Sequence, residues 1–345
     1  MQGRAEHDGE GIPSLEWGQW FEGMSMGLNR TWDEQRYWDA KLGPQRDWIW
    51  RGWPVRYSVS RPSQDHDQGH APLLLIHGFG AAVEHWRHNV PVLGRDRTIY
   101  ALDLLGFGGS RKASTQYTLD LWVDQLYQFW RLLIQRPIVL VGNSLGSLVC
   151  ARAAQLHPEM VDAVVLINLP DVSLRQAAIP APLRPVVNAI ESLFAPPPLI
   201  KLILRVVRRP AMIRRWVKIA YPDPTAVDDE LVALLSNPAY DVGAGDTLVA
   251  LSKSLRQPQF SPPMREVIAA LTQPILLLWG ECDRMVPFAL SQQFTGLNPR
   301  LTFVPLPGAG HCPHDECPDQ FHHILSSWLA AQRSGKAAQS YAEAI

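Results

Sequence analysis

Short segments that are almost continuously apolar alternate with helix-length segments through most of this chain. A segment that is apolar at nearly every position suits a strand buried on both faces, as in a parallel sheet. The helix-length segments between them, such as 119–135, 145–156 and 319–331, then cover the two faces of the sheet. We therefore predict an α/β fold with a mostly parallel sheet, whose strands are 55–60, 73–77, 98–103, 138–142, 163–168, 275–279 and 302–305.

The alternation stops between residues 170 and 263. This span holds 14 of the 29 prolines, a composition that favours short helices and turns. An insertion between two strands can lie over the strand ends and enclose a binding site. We predict a helical cap at 170–263, a core of 51–169 and 264–333, a Trp-rich N-terminal arm at 1–50 and a flexible tail at 334–345.

Residues 139–146 read Val-Leu-Val-Gly-Asn-Ser-Leu-Gly, a predicted strand that leads through Gly-x-Ser-x-Gly into a predicted helix. This context is typical of a nucleophile elbow, in which a strained turn presents a serine hydroxyl at the end of a strand. Gly142 and Gly146 fit the pattern because a Cβ at either position would clash with the adjoining strand and helix. We predict that Ser144 is a nucleophile.

A serine nucleophile needs a base, and the base needs an acid to orient it. Asp283 follows the predicted strand 275–279 in the pattern Trp-Gly-x-x-Asp-x-x-Val-Pro, with Glu281 as a nearby competitor. His311 follows the last predicted strand in Gly-Ala-Gly-His, whose small residues let the loop approach the serine. We predict a triad of Ser144, Asp283 and His311.

Two backbone N–H groups should stabilise the negative charge that develops on an attacked carbonyl oxygen. We expect one from Leu145, at the start of the helix after the serine, and one from Phe79, in the His-Gly-Phe-Gly segment after an early strand. His77 is expected to hold that loop. The neighbouring residues expected to contact substrate are Gly78, Asn143 and Phe107.

These motifs resemble the α/β-hydrolase family from about residue 50 to residue 328. Three segments further resemble the chlorophyll dephytylase and pheophytinase branch: Tyr-Ala-Leu-Asp-Leu-Leu-Gly-Phe-Gly at 100–108, Leu-Asp-Leu-Trp-Val-Asp-Gln at 119–125, and Ala-Gly-His-Cys-Pro-His-Asp-Glu at 309–316. The resemblance implies an α/β-hydrolase fold and hydrolysis of the phytyl ester of chlorophyll or pheophytin, with no cofactor. Ser147 departs from the branch, which usually has a second glycine there, and Gly109 replaces a bulkier residue.

Other activities suit the same constellation. A lipase, a carboxylesterase or a carbon–carbon bond hydrolase acting on ring-cleavage products would also use a cap and a serine triad. A non-catalytic pigment-binding or assembly factor could keep the fold with a silent triad. The intact Ser144, Asp283 and His311 favour an enzyme.

Charge is distributed unevenly along the chain, although the net charge of −1 gives no reason to expect a nucleic-acid partner. Between residues 192 and 222 there is no acidic residue. This basic amphipathic segment suits the surface of an anionic membrane, and it equally suits a cap helix with a solvated basic face. Its seven basic residues are Lys201, Arg205, Arg208, Arg209, Arg214, Arg215 and Lys218.

Seven of the 13 tryptophans precede Pro54, so the arm could be an interfacial anchor or could pack on the domain. The polar, acidic residues 1–11 resemble neither a signal nor a transit peptide, and no apolar run reaches the roughly 18 residues of a membrane span. With the resemblance, this predicts a cytoplasmic protein, or one peripheral on the thylakoid membrane of a photosynthetic organism such as a cyanobacterium.

Two further segments contain residues that could bind ligands. The sequence His-Cys-Pro-His-Asp-Glu-Cys at 311–317 holds soft metal ligands, but it lacks a second ligand pair, so no metal is expected. The Gly-rich segment 103–110 lacks the Lys-Ser/Thr of a phosphate loop and is expected to form a tight loop beside the active site. The four cysteines are too few for a disulfide scaffold and suggest a reducing compartment.

Overall fold

The computed structural model describes residues 32–63, 69–173 and 196–334. Its sheet has eight strands among these residues, in the order β1-β2-β4-β3-β5-β6-β7-β8. Strands β3 to β8 are mutually parallel, whereas β2 runs antiparallel to both β1 and β4. The predicted α/β fold is confirmed. The strands are β1 Gln45–Trp50, β2 Trp53–Ser60, β3 Leu73–Ile76, β4 Ile99–Leu102, β5 Ile138–Asn143, β6 Val161–Ile167, β7 Ile275–Gly280 and β8 Leu301–Leu306.

Helices cover both faces of this sheet. The α-helices of the described residues are α1 Trp32–Leu42, α2 Val90–Leu93, α3 Leu119–Phe129, α4 Leu145–Leu156, α5 Pro197–Val207, α6 Pro210–Ala220, α7 Asp229–Ser236, α8 Ala244–Ser254, α9 Met264–Ala270, α10 Pro313–Glu316 and α11 Pro318–Arg333. Of these, α5 to α8 lie in the cap, between β6 and β7. A π-helical turn, Trp130–Ile134, extends α3. No helix among the described residues is long and apolar enough to cross a bilayer.

The continuously apolar strands divide their side chains between two cores. In β3, Leu74 and Ile76 join the core beneath α3, α4 and α9, whereas Leu73 and Leu75 join the core on the opposite face, beneath α1 and α11. Because successive side chains point to opposite faces of a strand, only a strand covered on both sides can be apolar throughout. This burial fixes the register of the sheet. Because β5, β6 and β7 are parallel neighbours, their carboxyl ends lie side by side.

The predicted arm at 1–50 is not separate from the core in its described part. Residues 45–50 form β1, which pairs with β2 through Trp48 opposite Val55 and Trp50 opposite Trp53. The sequence did not reveal this strand because it lies at the sheet edge and carries exposed charges. One of them, Asp47, accepts a hydrogen bond of 2.6 Å from the buried Arg56 Nε of β2.

Four of the tryptophans before Pro54 pack within the described domain. Trp38 and Trp50 are buried, and Trp48 and Trp53 are partly buried against the same cores. These four rings therefore belong to a packed segment rather than to an interfacial anchor. Trp17 and Trp20, most of the tail at 334–345, and the cap residues 174–195 lie outside the described residues.

Candidate active site

Ser144 lies in the turn between β5 and α4, with φ 53° and ψ −113°. This conformation is unfavourable for a residue with a Cβ and is held by the surrounding structure. A Cβ on Gly142 would lie 2.4 Å from the Gly146 carbonyl carbon, and one on Gly146 would lie 2.2 Å from the Ile76 oxygen. The two glycines therefore allow strand and helix to approach closely, as the elbow pattern predicts.

Asp283 and His311 meet across two loops that follow β7 and β8. His311 Nδ1 lies 2.8 Å from Asp283 Oδ2, and the other carboxylate oxygen accepts hydrogen bonds from the N–H groups of Met285 and Val286, at 2.7 and 2.9 Å. The Asp283 side chain is completely buried, whereas the competitor Glu281 is exposed. The structure therefore selects Asp283 as the partner of His311.

Ser144 and His311 line the same cavity of about 220 Å³, which we call the inner cavity. Gly78, Phe79 and Asn143 line it as well, so the inner cavity gathers most of the predicted site. Leu145 is the first residue of α4, directly after the serine. This leaves its N–H at the helix N-terminus, where backbone N–H groups lack intrahelical partners.

The loop that carries Phe79 is held by His77, as predicted. The buried ring contacts the Gly78 carbonyl through Nδ1 at 2.7 Å and accepts from the Leu104 N–H through Nε2 at 3.1 Å. Burial lowers the pKa of His77 to about 4, so the ring is neutral near pH 7 and its Nδ1 carries the proton. His77 is therefore a positioning residue of the loop.

Asn168, at the end of β6, was not predicted as a site residue. Its Nδ2 donates to Asp283 Oδ2 and, at 2.9 Å, to the Gly310 carbonyl, while its Oδ1 accepts from the Gly280 N–H at 3.1 Å. The residue has φ 50°, a left-handed conformation that asparagine tolerates better than most residues. An asparagine directly after a buried strand, next to the acid's own strand, was the available signal.

The loop around His311 is fixed by three further contacts. Asn143 Nδ2 donates to the His311 carbonyl at 2.9 Å, so this side chain positions the histidine besides lining the cavity. Glu316 accepts from the N–H groups of Gly310 and Cys312, at 2.9 and 3.3 Å. Burial raises the pKa of Glu316 to about 7, although these two bonds favour its ionised form.

The segment after His311 is also tied to the loop after β3 by a buried ion pair. Arg87 Nε lies 3.0 Å from Asp315 Oδ1, and Arg87 Nη2 lies 3.4 Å from Oδ2. Tyr221 donates to the same carboxylate at 2.9 Å and contacts His85 Nε2 at 2.7 Å. Burial lowers the pKa of His85 to about 4 despite the nearby Asp315 carboxylate. Asp315 therefore binds Arg87, from the loop after β3, and Tyr221, which follows α6, and so joins these two segments to the histidine loop.

The cap contacts the histidine loop directly. The His311 N–H donates to the carbonyl of Ala220, the last residue of α6, at 2.8 Å. Trp216 and Val217 of the same helix line the inner cavity, together with Leu235 of α7. The position of α6 therefore affects both the cavity wall and the base.

A second, larger cavity of about 360 Å³, the outer cavity, adjoins the inner one. The two share Phe79, Trp216, Val217 and Leu235 as lining residues. The predicted substrate contact Phe107 lines the outer cavity rather than the inner one, with its ring 5.3 Å from that of Phe79. The remaining outer wall is mostly aliphatic and includes Ile203, Leu204, Val207, Ile213, Leu248 and Leu251.

The Gly-rich segment 103–110 forms a tight loop whose residues 106–108 line the outer cavity. Asp103 occupies its centre and accepts from the N–H groups of Val83 and Gly109, at 2.7 and 2.6 Å. A carboxylate bound to these donors leaves no place for a phosphate. Among the described residues, no three His, Cys, Asp or Glu side chains are placed to hold a metal ion, those of 311–317 included.

The fold and the elbow define the class of protein, and the comparisons with known proteins agree. Residues 73–324 match the model of the alpha/beta hydrolase family, so the chain belongs to that family and is a hydrolase. It is 28% identical over 265 residues to a 2-hydroxy-6-oxo-6-(2'-aminophenyl)hexa-2,4-dienoic acid hydrolase of Metapseudomonas resinovorans, covering 75% of this chain and 84% of that protein. It is 25% identical over 327 residues to the chloroplastic pheophytinase of Arabidopsis thaliana, covering 82% of this chain and 66% of that protein.

Solved structures show the same fold. A serine hydrolase of carbazole degradation superposes with a TM-score of 0.65 at 23% identity, over 83% of this chain and 98% of that one. A bacterial membrane phospholipase A superposes with a TM-score of 0.68 at 24% identity, over 86% of this chain and 90% of that one. At these identities the likeness supports the architecture alone.

Proposed function

We propose that this protein is a serine hydrolase that cleaves a carboxylic ester, with Ser144 as nucleophile, His311 as base and Asp283 as the acid that orients it. The observation that carries the proposal is the strained serine between two close-packed glycines, in one cavity with a histidine bound to a buried carboxylate. Nucleophilic catalysis by serine requires a base beside the nucleophile and an acid that orients the base, and these three residues supply those groups.

In the proposed mechanism, His311 removes the Ser144 hydroxyl proton as the oxygen attacks the ester carbonyl carbon. The N–H groups of Leu145 and Phe79 stabilise the tetrahedral oxyanion. His311 then returns the proton to the departing alcohol, which leaves an acyl group on Ser144. Water, deprotonated by His311, attacks this acyl-enzyme, and the carboxylic acid is released as Ser144 recovers its proton.

The proposed substrate is the phytyl ester of chlorophyll or pheophytin. Similarity to pheophytinase supports this choice, and so does the apolar character of the two adjoining cavities. The shared wall formed by Phe79 and Trp216 would let an ester group lie at Ser144 while an apolar chain fills the outer cavity. Because these pigments occur in photosynthetic membranes, the proposal places the enzyme on a thylakoid surface, as in a cyanobacterium.

Carbon–carbon bond hydrolysis is a second candidate, because two relatives at 28% identity are named as hydrolases of dienoic acid or muconate semialdehyde substrates. A substrate with a carboxylate would favour a cationic side chain near the serine. Among the described residues that line the inner cavity, there is no Lys or Arg. The cations at the outer cavity are engaged elsewhere: Lys112 lies 3.0 Å from Asp241, and Arg208 lies over the Tyr240 ring. This lining favours the neutral ester.

The test is to incubate the native protein and Ser144→Ala with detergent-solubilised chlorophyll a, pheophytin a, short-chain esters and a 2-hydroxy-6-oxo-dienoate. Phytol-free pigment released by the native protein alone would support the proposal. The ratio of the rates on chlorophyll a and pheophytin a would show whether the pigment with or without magnesium is preferred. Turnover of short esters without either pigment would refute the pigment substrate. Turnover of the dienoate alone would favour carbon–carbon hydrolysis.

A fluorophosphonate probe separates the enzyme from a pigment-binding protein with a silent triad. We expect the probe to label the native protein and to leave Ser144→Ala unlabelled, because it reacts with an activated serine. Unlabelled native protein that still binds pigment would favour the non-catalytic alternative.

A further inference from the structure

The two consecutive cap helices α5 and α6 present apolar side chains to solvent. On α5, Leu199, Leu202 and Val206 recur at helical spacing, and the exposed fraction of Leu202 is 56%. On α6, Trp216 and Ile219 are exposed, Trp216 by 53%. We call these five side chains the cap patch. Several exposed apolar side chains on two consecutive helices mark an interaction site more often than an isolated exposed leucine does.

The basic residues around the cap patch divide into two groups. Three are engaged within the cap: Lys201 with Asp246 at 2.6 Å, Arg208 over the Tyr240 ring, and Arg214 with Asp229. The other four have no carboxylate within ion-pair distance among the described residues, and α5 and α6 themselves contain no acidic residue. These four are Arg205, Arg209, Arg215 and Lys218.

The cap patch lies beside the cavities rather than on a remote surface. Helix α6 exposes Trp216 and Ile219, and it lines the inner cavity with Trp216, Val217 and Ala220. Helix α5 likewise lines the outer cavity with Ile203, Leu204 and Val207. Each helix therefore has one side toward solvent and one toward the cavity walls. A surface that covered the cap patch would adjoin the apolar route to Ser144.

We propose that α5 and α6 dock this enzyme onto an anionic lipid bilayer, with the cap patch in the interfacial region and the basic side chains of Arg205, Arg209, Arg215 and Lys218 on lipid headgroups. The combination of apolar side chains with an excess of cations matches the interfacial helices that bind anionic membranes. A protein partner with an acidic rim, or a second copy of this chain, is an alternative occupant of the same surface. The continuity with an apolar cavity favours lipid, from which an apolar ester can enter.

The test measures binding of Ser144→Ala to vesicles of phosphatidylcholine alone and of phosphatidylcholine mixed with phosphatidylglycerol, by co-sedimentation. We expect the partition coefficient to rise at least tenfold with the anionic lipid and to fall when salt is raised. Replacing Arg205, Arg209, Arg215 and Lys218 together by Gln should remove most of this rise, a loss of up to about 600-fold at about fivefold for each of the four charges. Because the assay needs no turnover, its result does not depend on whether the proposed substrate is correct.

The matched control replaces four exposed basic residues elsewhere by Gln, which changes the net charge equally: Arg46, Arg136, Arg265 and Arg300. This control should bind within about twofold of its parent if the position of the charges matters. Leu202→Ser with Val206→Ser, neither of which lines a cavity, should weaken binding about tenfold through lost apolar burial. Equal losses in both charge variants, or no binding to anionic vesicles, would overturn the proposal. Self-association that the serine pair abolishes, without vesicle binding, would show that a second copy covers the surface.

Discussion

Substituting either partner of the buried Arg87–Asp315 ion pair should lower the free energy of unfolding by a large amount. Arg87 contacts Asp315 through two nitrogens, and its Nη1 contacts Asp228 and Glu230 at 2.9 and 3.1 Å. Burial alone would lower the pKa of Arg87, but the carboxylates of Asp315 and Asp228 outweigh it and raise the pKa. The Arg87→Met variant keeps much of the side-chain volume and removes the charge.

The two partners of this pair differ in what remains after substitution. In Arg87→Met, the completely buried Asp315 carboxylate loses its guanidinium, and breaking a buried pair in this way costs about 3–5 kcal/mol. In Asp315→Asn, Arg87 keeps its contacts to Asp228 and Glu230. The loss is then that of one charged hydrogen-bonding partner, about 1.5–3 kcal/mol. The double variant Arg87→Met with Asp315→Asn leaves no buried charge at this position and should cost less than the sum of the two single variants by about 2 kcal/mol or more.

Equilibrium urea unfolding followed by circular dichroism would measure these three free energies, with Arg300→Met as a control at an exposed arginine. We expect the control to change the free energy of unfolding by about 0.5 kcal/mol or less. Equal effects of Arg87→Met and the control would refute the reasoning. Strict additivity in the double variant would also refute it, because the cost would then not arise from an unpaired charge.

Three more substitutions test the support of the site. Asn168→Ala should lower kcat about 10- to 100-fold with little change in KM, because Asp283 loses a charged hydrogen bond worth about 1.5–3 kcal/mol. Steady-state kinetics would measure both constants, and a change in KM alone would contradict this expectation. Burial raises the pKa of Glu316 from 4.5 to about 7, so its contribution to stability is lost as pH rises through that interval. Glu316→Gln should therefore gain about 3 kcal/mol relative to native protein between about pH 5 and about pH 8 in urea unfolding, and a constant difference would refute the shift. Gly146→Ala should cost at least about 1–3 kcal/mol in the same assay, since its Cβ would lie 2.2 Å from the Ile76 oxygen, and native-like stability would contradict this packing.

The parallel strands could be predicted because their burial leaves a direct trace in the sequence. Strands such as β3 and β5 are buried at every position, so each appears as an uninterrupted apolar run. The edge strand β1 has exposed positions and two charges, and its pairing depends on β2 rather than on its own composition. Helix α1 has a weak apolar pattern and is held mainly through buried Trp38 and Leu42. Both elements depend on tertiary contacts that a local pattern does not reveal.

The residues of the site also divide into those that a local motif predicts and those that depend on tertiary contacts. Ser144, Asp283 and His311 could be placed because each follows a strand in a motif with a chemical reason for its spacing. Asn168 and Tyr221 were not placed, because neither belongs to a motif of this kind and their partners lie 115 and 94 residues away in the chain. Ser147, a departure from the expected glycine, has a structural use: its hydroxyl donates to the Gly142 carbonyl at 2.6 Å and accepts from the Ile167 N–H at 2.9 Å. A single hydroxyl thus joins the elbow to β6.

The segment after His311 carries the most specific resemblance to one branch of the family, yet its contacts are structural. Asp315 binds Arg87 and Tyr221, and Glu316 binds the backbone on both sides of His311. A motif that holds the base in place is compatible with any substrate that the triad can attack. Substrate choice must instead depend on the walls of the two cavities, of which α5 to α8 supply about half of the outer one and a smaller part of the inner one. The cap is therefore where substitutions should change the substrate without changing the chemistry.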